Sequence, residues 1–129
     1  MIAAVGTAAG VFLVDVEAET LLGEGTEVPA APHPEVALPR VVAAAEAGAT
    51  IVAVVERRPP LMVSHDGGAT WRESGGGLPP GFAVAIAADD PDRILYAARN
   101  RLYVSTGGGV FWRALPLELP DIDSVGWID

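Results

Sequence analysis

Hydrophobic residues along this chain fall in short runs of four or five that come in pairs: Ile2–Val5 (IAAV) with Phe12–Asp15 (FLVD), Ile51–Val54 (IVAV) with Leu61–Ser64 (LMVS), and Ile94–Ala97 (ILYA) with Leu102–Ser105 (LYVS). Runs this short, rich in β-branched and aromatic residues and bounded by turn formers, predict strands. From the first to the last residue of a pair the separation is 13, 13 and 11 positions, so the pairs read as copies of one unit. A polar or glycine-rich turn and a bulky residue follow each pair: Leu22, Trp71 and Trp112, with 7 positions from Ser64 to Trp71 and from Ser105 to Trp112. Arg40–Ala44 (RVVAA) lies on Ala83–Ala87 (AVAIA) at an offset of 43, the same offset that carries Ile51 onto Ile94, and Ser124–Ile128 (SVGWI) repeats that strand a third time, 41 positions after Ala83.

Lettered A to D from the inner edge of each unit outward, the strands read B-C-D, A-B-C-D, A-B-C-D, A. The predicted fold is all-β, with three four-stranded units at about 1–35, 36–80 and 81–123 and a closing inner strand at 124–128. The alanine-rich stretch Val36–Ala47 competes as a helix, but Pro39 inside it and its alignment with Ala83–Asp90 favour a strand.

The turn after the second pair, Ser64-His65-Asp66-Gly67-Gly68-Ala69-Thr70-Trp71, matches S-x-D-x-G-x-T-W at every signature position. It resembles the Asp-box, or BNR repeat, of sialidase-like and sortilin-like β-propellers. The pattern suits a tight hairpin: the carboxylate accepts backbone N–H bonds, glycine takes positive φ, and the aromatic ring packs beside the sheet. The third copy keeps Ser105, Gly109 and Trp112 but has Gly107 for Asp and Phe111 for Thr, and the first copy, Asp15–Leu22, keeps almost nothing of the box. The resemblance implies propeller blades and a structural role for Ser64, Asp66, Gly68, Thr70 and Trp71, because in that family the box lies at the blade periphery. His65, at the variable position, reads as a solvated loop residue.

Three blades leave sheet edges and apolar flanks open to water. The chain starts on a B strand and ends on a lone A strand, and the ends of a three-blade arc are expected to lie too far apart to meet. The sequence therefore predicts a homodimer in which the tail of each chain completes the first blade of the other, closing a six-bladed ring.

Composition agrees in part. Of 129 residues 50% are hydrophobic and only 19% charged, which suits a chain that buries surface against another. The net charge of −9 argues against a nucleic-acid partner, whose phosphates need a dominating cationic face. No apolar run approaches the ~18 residues of a membrane helix, and no Lys or Arg precedes Arg40, so neither a membrane span nor a secretory leader is expected and the expected location is cytoplasmic. With no cysteine, thiolate chemistry and disulfides are excluded. No metal or other cofactor is expected, since His33 stands between two prolines without a second ligand at metal spacing.

Candidate chemistry concentrates in the B–C turns. Arg57 and Arg58 lie in one, and Arg99 and Arg101 in the next. Arginine recognises carboxylates and phosphates through its planar fork of donors, so these four are candidate ligand-binding residues. They also suit ion pairs with Glu24, Glu27, Glu35, Asp121 and Asp123 of the D–A loops. A sialidase-type hydrolase would need an arginine triad and a Tyr nucleophile with a Glu. The two tyrosines, Tyr96 and Tyr103, fall within strands B and C instead. Two functions stay open: a non-catalytic module that binds a protein or a small anionic ligand at its loop face, and a carbohydrate-binding or glycoside hydrolase-like protein using Trp71, Trp112 or Trp127 as sugar platforms.

Overall fold

A computed structural model describes residues 1–128. The strands are β1 (Ile2–Thr7), β2 (Gly10–Asp15), β3 (Thr20–Glu24), β4 (Val41–Ala47), β5 (Thr50–Val55), β6 (Leu61–Ser64), β7 (Arg72–Ser74), β8 (Ala83–Ala87), β9 (Asp90–Ala98), β10 (Arg101–Ser105), β11 (Arg113–Ala114) and β12 (Ile122–Trp127). They form three antiparallel sheets, ordered β12-β1-β2-β3, β4-β5-β6-β7 and β8-β9-β10-β11, here the first, second and third sheets. The four-strand units read from the repeats are thus present.

One expectation fails. The tail does not leave the chain: β12 pairs with β1 of the same molecule, Ala3 opposite Trp127 and Val5 opposite Val125. The ends meet because the third sheet lies between the other two. Strand β12 packs against β8 and β9 on one side of the third sheet, and β8 packs against β4 and β5 on the other. The spatial order is therefore second, third, first, and the chain enters at the middle of the sheet that its own tail completes. Strand exchange with a twin is not what fills the inner edge of the first sheet.

The cores follow from period-two alternation. Ala3, Val5 and Val14 from the first sheet meet Leu95, Ala97, Leu102 and Val104 from the third, with Ile122 of β12. Val52, Val54, Leu61 and Val63 of the second sheet meet Ile94 and Tyr96 of the third. Adjacent residues of β9 thus serve opposite interfaces, which is why β9 is apolar on both faces and its Ile94–Ala98 stretch is wholly buried.

The third cluster lies on the far face of the second sheet: Ala44, Ala53, Val55 and Met62. Among the described residues no fourth sheet covers them. Val36 and Leu38, from the long segment between β3 and β4, pack there with Trp71. That segment begins beside Val11 and Leu13, where a Cβ on Gly25 would meet both side chains. It passes Gly6 and Gly126 through Val28, then shares a depression with Glu46, Ala85, Ile86 and Trp127. It is a strap across the inner strands that joins the two ends of the arc. The strand predicted from Val36 accordingly begins only at Val41, because Val36–Arg40 belongs to the strap.

The offset for strand A also differs from the sequence alignment. Ala43 pairs with Val54 and Ala83 with Ala97, an offset of 40 where the alignment gave 43. The β8–β9 connection carries the extra residues: pairing shifts between Ile86 and Ala87, and β9 starts at Asp90, ahead of the Ile94 that matches Ile51.

Candidate functional site

The Ser64–Trp71 turn is built around one carboxylate. Asp66 Oδ1 accepts from Ser64 Oγ at 2.8 Å and from the Thr70 N–H at 2.9 Å, and Oδ2 accepts from Thr70 Oγ1 at 2.5 Å. Ser64 Oγ in turn accepts from the Gly68 N–H at 2.8 Å. Gly67 and Gly68 hold φ of 72° and 96°, the left-handed backbone that glycine adopts at least cost. Hydrogen bonds, foremost those from Thr70, hold the Asp66 carboxyl down at about 2. All of this lies within the turn, and Trp71 packs on the far face of the second sheet.

A carboxylate held below its usual value of 3.8 stabilises the fold above that pH, and the contribution disappears as pH falls toward about 2. The Asp66→Asn variant should therefore melt below the native chain at pH 5, and the gap should close between pH 4 and pH 2. A gap that stays constant over that range in thermal melts followed by circular dichroism would contradict this assignment.

The third turn keeps the same frame without the carboxylate. Ser105 Oγ accepts from the Gly109 N–H at 2.9 Å, the counterpart of the Ser64–Gly68 bond. Trp112 donates its indole N–H to Ser74 Oγ at 3.0 Å, tying the third sheet to the second. Trp127 donates to the Ala85 carbonyl at 3.2 Å, tying β12 to the third sheet, and lies under the Arg93 guanidinium, 5.1 Å from its centroid. The three tryptophans are half-buried wedges.

Two residues were missed in the sequence. Arg72 donates to the Gly108 carbonyl at 3.0 Å, and Arg113 donates to the Val16 carbonyl at 3.3 Å and pairs with Glu19 at 3.1 Å. Each arginine directly follows the tryptophan of its repeat and clasps the turn of the next sheet. The repeated Trp-Arg dipeptide, 41 positions apart, was the available signal. In the first copy the same place holds Leu22 and Gly23, so the clasp ends where the arc ends. His65 is exposed yet bonded, with Nδ1 3.2 Å from Thr50 Oγ1 and Nε2 3.3 Å from Arg72, so it supports the clasp where the sequence suggested only a solvated loop. His33 is exposed in the strap, and no group of three or more metal-ligating side chains occurs among the described residues.

The four predicted arginines stand at the opposite end of the sheets from the Ser64 turn, Arg57 and Arg58 on the β5–β6 turn, Arg99 on the β9–β10 turn and Arg101 at the start of β10. Their acidic partners are not those named from the sequence: Arg57 lies 3.7 Å from Glu73 and donates to Met62 Sδ, and Arg101 lies 3.2 Å from Glu118. Arg58 and Arg99 have no ion-pair partner among the described residues, and both are exposed. Arg40 joins this end, since its carbonyl accepts from the Glu56 N–H at 3.0 Å.

A cleft of about 480 Å³ lies between the β5–β6 turn and the β7–β8 loop, lined by Arg58 and Pro59 on one side and Gly76–Pro80 on the other. A second depression of about 300 Å³, lined by Glu56, Arg57, Arg58 and Pro80, adjoins it. Tyr96 fixes the far wall from below. Its hydroxyl donates to the Pro79 carbonyl at 2.7 Å, its ring packs against Tyr103 and Trp112, and burial raises its pKa beyond the ordinary tyrosine value. Such a phenol is a buried strut, ill suited to act as a nucleophile.

No protein-family model and no curated protein matches the chain. Among solved structures it resembles the GH74 enzyme of Niastella koreensis, with a TM-score of 0.51 and 22% identity over 92% of this chain. The fold is β-propeller-like. The chain spans 18% of that enzyme's length, so the likeness covers a few sheets of a much larger molecule and concerns the fold alone.

Proposed function

We propose that this chain is a non-catalytic propeller module of the Asp-box type that binds a protein or a small anionic ligand at its arginine-bearing end. The observation that carries this reading is that the guanidinium groups of Arg58 and Arg99, on the turns of neighbouring sheets, have no ion-pair partner among the described residues, in a chain whose net charge is −9. An acidic protein that leaves cations on one face without an ion-pair partner among the described residues has them available for an anion. The hydrolase-like alternative draws on the sialidase-like resemblance of the Ser64 turn, on Trp71, Trp112 and Trp127 as sugar platforms, and on a neighbour that speaks for the fold alone. Tyr96 is committed to the Pro79 carbonyl, and the indole N–H groups of Trp112 and Trp127 are spent between sheets.

The test is titration of isotope-labelled protein with sulfate, followed by amide chemical shifts. Perturbations should cluster on the β5–β6 and β9–β10 turns and vanish at the first of these in the Arg57→Ala/Arg58→Ala double variant, with the circular dichroism spectrum unchanged. Scattered shifts, or a variant that fails to fold, would overturn the reading. Assembly is proposed as two complete arcs meeting flank to flank, with no strand exchanged. Light scattering on the same samples decides it: twice 13.3 kDa supports the pair, and 13.3 kDa refutes it.

A further inference from the structure

We infer that the cleft between the β5–β6 turn and the β7–β8 loop takes a monocarboxylate attached to an apolar body, with Arg58 and the Gly76-Gly77 backbone as the anion cradle. This rests on the arginine-end reading above and names its ligand class. Among the described residues Arg58 is the one charged side chain lining the cleft, and no ion-pair partner for it occurs among them. Arg57, which lines the adjoining depression, is already engaged by Glu73 and Met62, and Glu56 adds a negative charge there. One net positive charge suits a singly charged carboxylate better than a phosphate dianion, which draws on several cationic donors.

On the opposite wall the Gly76 and Gly77 N–H groups have no hydrogen-bond partner among the described residues. The Leu78 N–H closes a tight turn onto the Gly75 carbonyl at 3.0 Å, and Gly77 has a φ of 86°. Successive N–H groups at a turn of this kind form a concavity that attracts anions. A Cβ on Gly76 or Gly77 would meet nothing within 4 Å. A ligand oxygen can therefore approach the backbone closely.

The remainder of the lining, Pro59, Leu78, Pro79 and Pro80, carries no side-chain hydrogen-bonding group. A sugar, with many hydroxyls to satisfy, would leave most of them unpaired there. An aliphatic chain or an apolar terminal side chain would be desolvated against these walls. About 480 Å³ is at the small end of ordinary ligand sites, enough for a terminal residue or a short carboxylic acid. A peptide C-terminus and a free aliphatic acid share this chemistry.

The experiment compares an N-acetylated tripeptide ending in leucine, as free acid and as C-terminal amide, with 4-methylpentanoate, following amide shifts of Gly76, Gly77 and Leu78 and the Arg58 side-chain N–H. The free acid should bind about ten-fold or more tightly than the amide, because one charge-assisted contact is lost. Arg58→Ala should abolish the difference while Arg58→Lys keeps part of it. Binding by both acids with the peptide favoured identifies a chain terminus as the source, and equal binding identifies a small acid; either supports the site. Acid and amide binding alike, or shifts confined to the Arg99–Arg101 turn, would refute the cleft and leave the arginine-end reading standing. Silence toward the carboxylates and sulfate together would overturn both.

Discussion

Removing residues 122–129 should abolish cooperative folding of the remaining chain. Strand β12 supplies Ile122 to the core between the first and third sheets, with Val125 and Trp127 packed on its edge. Each fully buried large side chain contributes about 1.5–3 kcal/mol, and a small domain has on the order of 5–15 kcal/mol in total. The deletion also strips β1 of its pairing from Ala3 to Thr7 and takes the β12 contact from β8. It leaves buried backbone donors and acceptors without partners, each a further cost. Far-UV circular dichroism and thermal melts check this directly. A truncated chain that melts cooperatively near the native midpoint would mean that β12 is an appendage and that the cis closure of the first sheet contributes little.

Replacing Gly81 with alanine should destabilise the protein by about 1–3 kcal/mol, the range for forcing extra volume into a packed site. A methyl group there would press into the Ala97 carbonyl oxygen and sit 2.5 Å from the Tyr96 hydroxyl. Neither neighbour can yield easily. The carbonyl belongs to the paired β9 strand and already accepts from the Phe82 N–H at 3.3 Å, and the hydroxyl is held by Pro79. Gly76→Ala, five residues earlier, meets open space and should change stability by less than about 0.5 kcal/mol. Urea denaturation of the two variants gives the contrast. Equal midpoints would show that the wall of the cleft is pliable and that Tyr96 does not fix it. If Gly81→Ala folds at reduced stability, a loss of carboxylate binding in it beyond that of Gly76→Ala would trace the cleft's shape to the strut beneath it.

Strand identity was legible because each run is short, apolar and closed by a turn. The repeat was legible because the same side chains recur: Ser64 and Ser105, Trp71 and Trp112, Ile51 and Ile94. The Ser64 turn was legible as a hairpin whose carboxylate accepts a backbone N–H, as Asp66 does from Thr70, whereas its side-chain bonds with Ser64 and Thr70 appear only in the folded turn. The arginine cluster was legible as a location. Which of its members stay unpaired was not, because Glu73 and Glu118 come near only when β7 and the loop after β11 are folded back.

By itself the sequence determined the number of strands, their turns and the four-strand unit, because local alternation and turn chemistry act over a few residues. Tertiary structure alone decided the order of the sheets, the return of the tail to β1, and the route of the strap. These depend on which apolar faces can reach each other once loops close, and a linear pattern contains no distances. The expectation of an exchanged tail assumed that chain order is spatial order. Placing the third sheet between the first and second removed the gap that the exchange was meant to bridge.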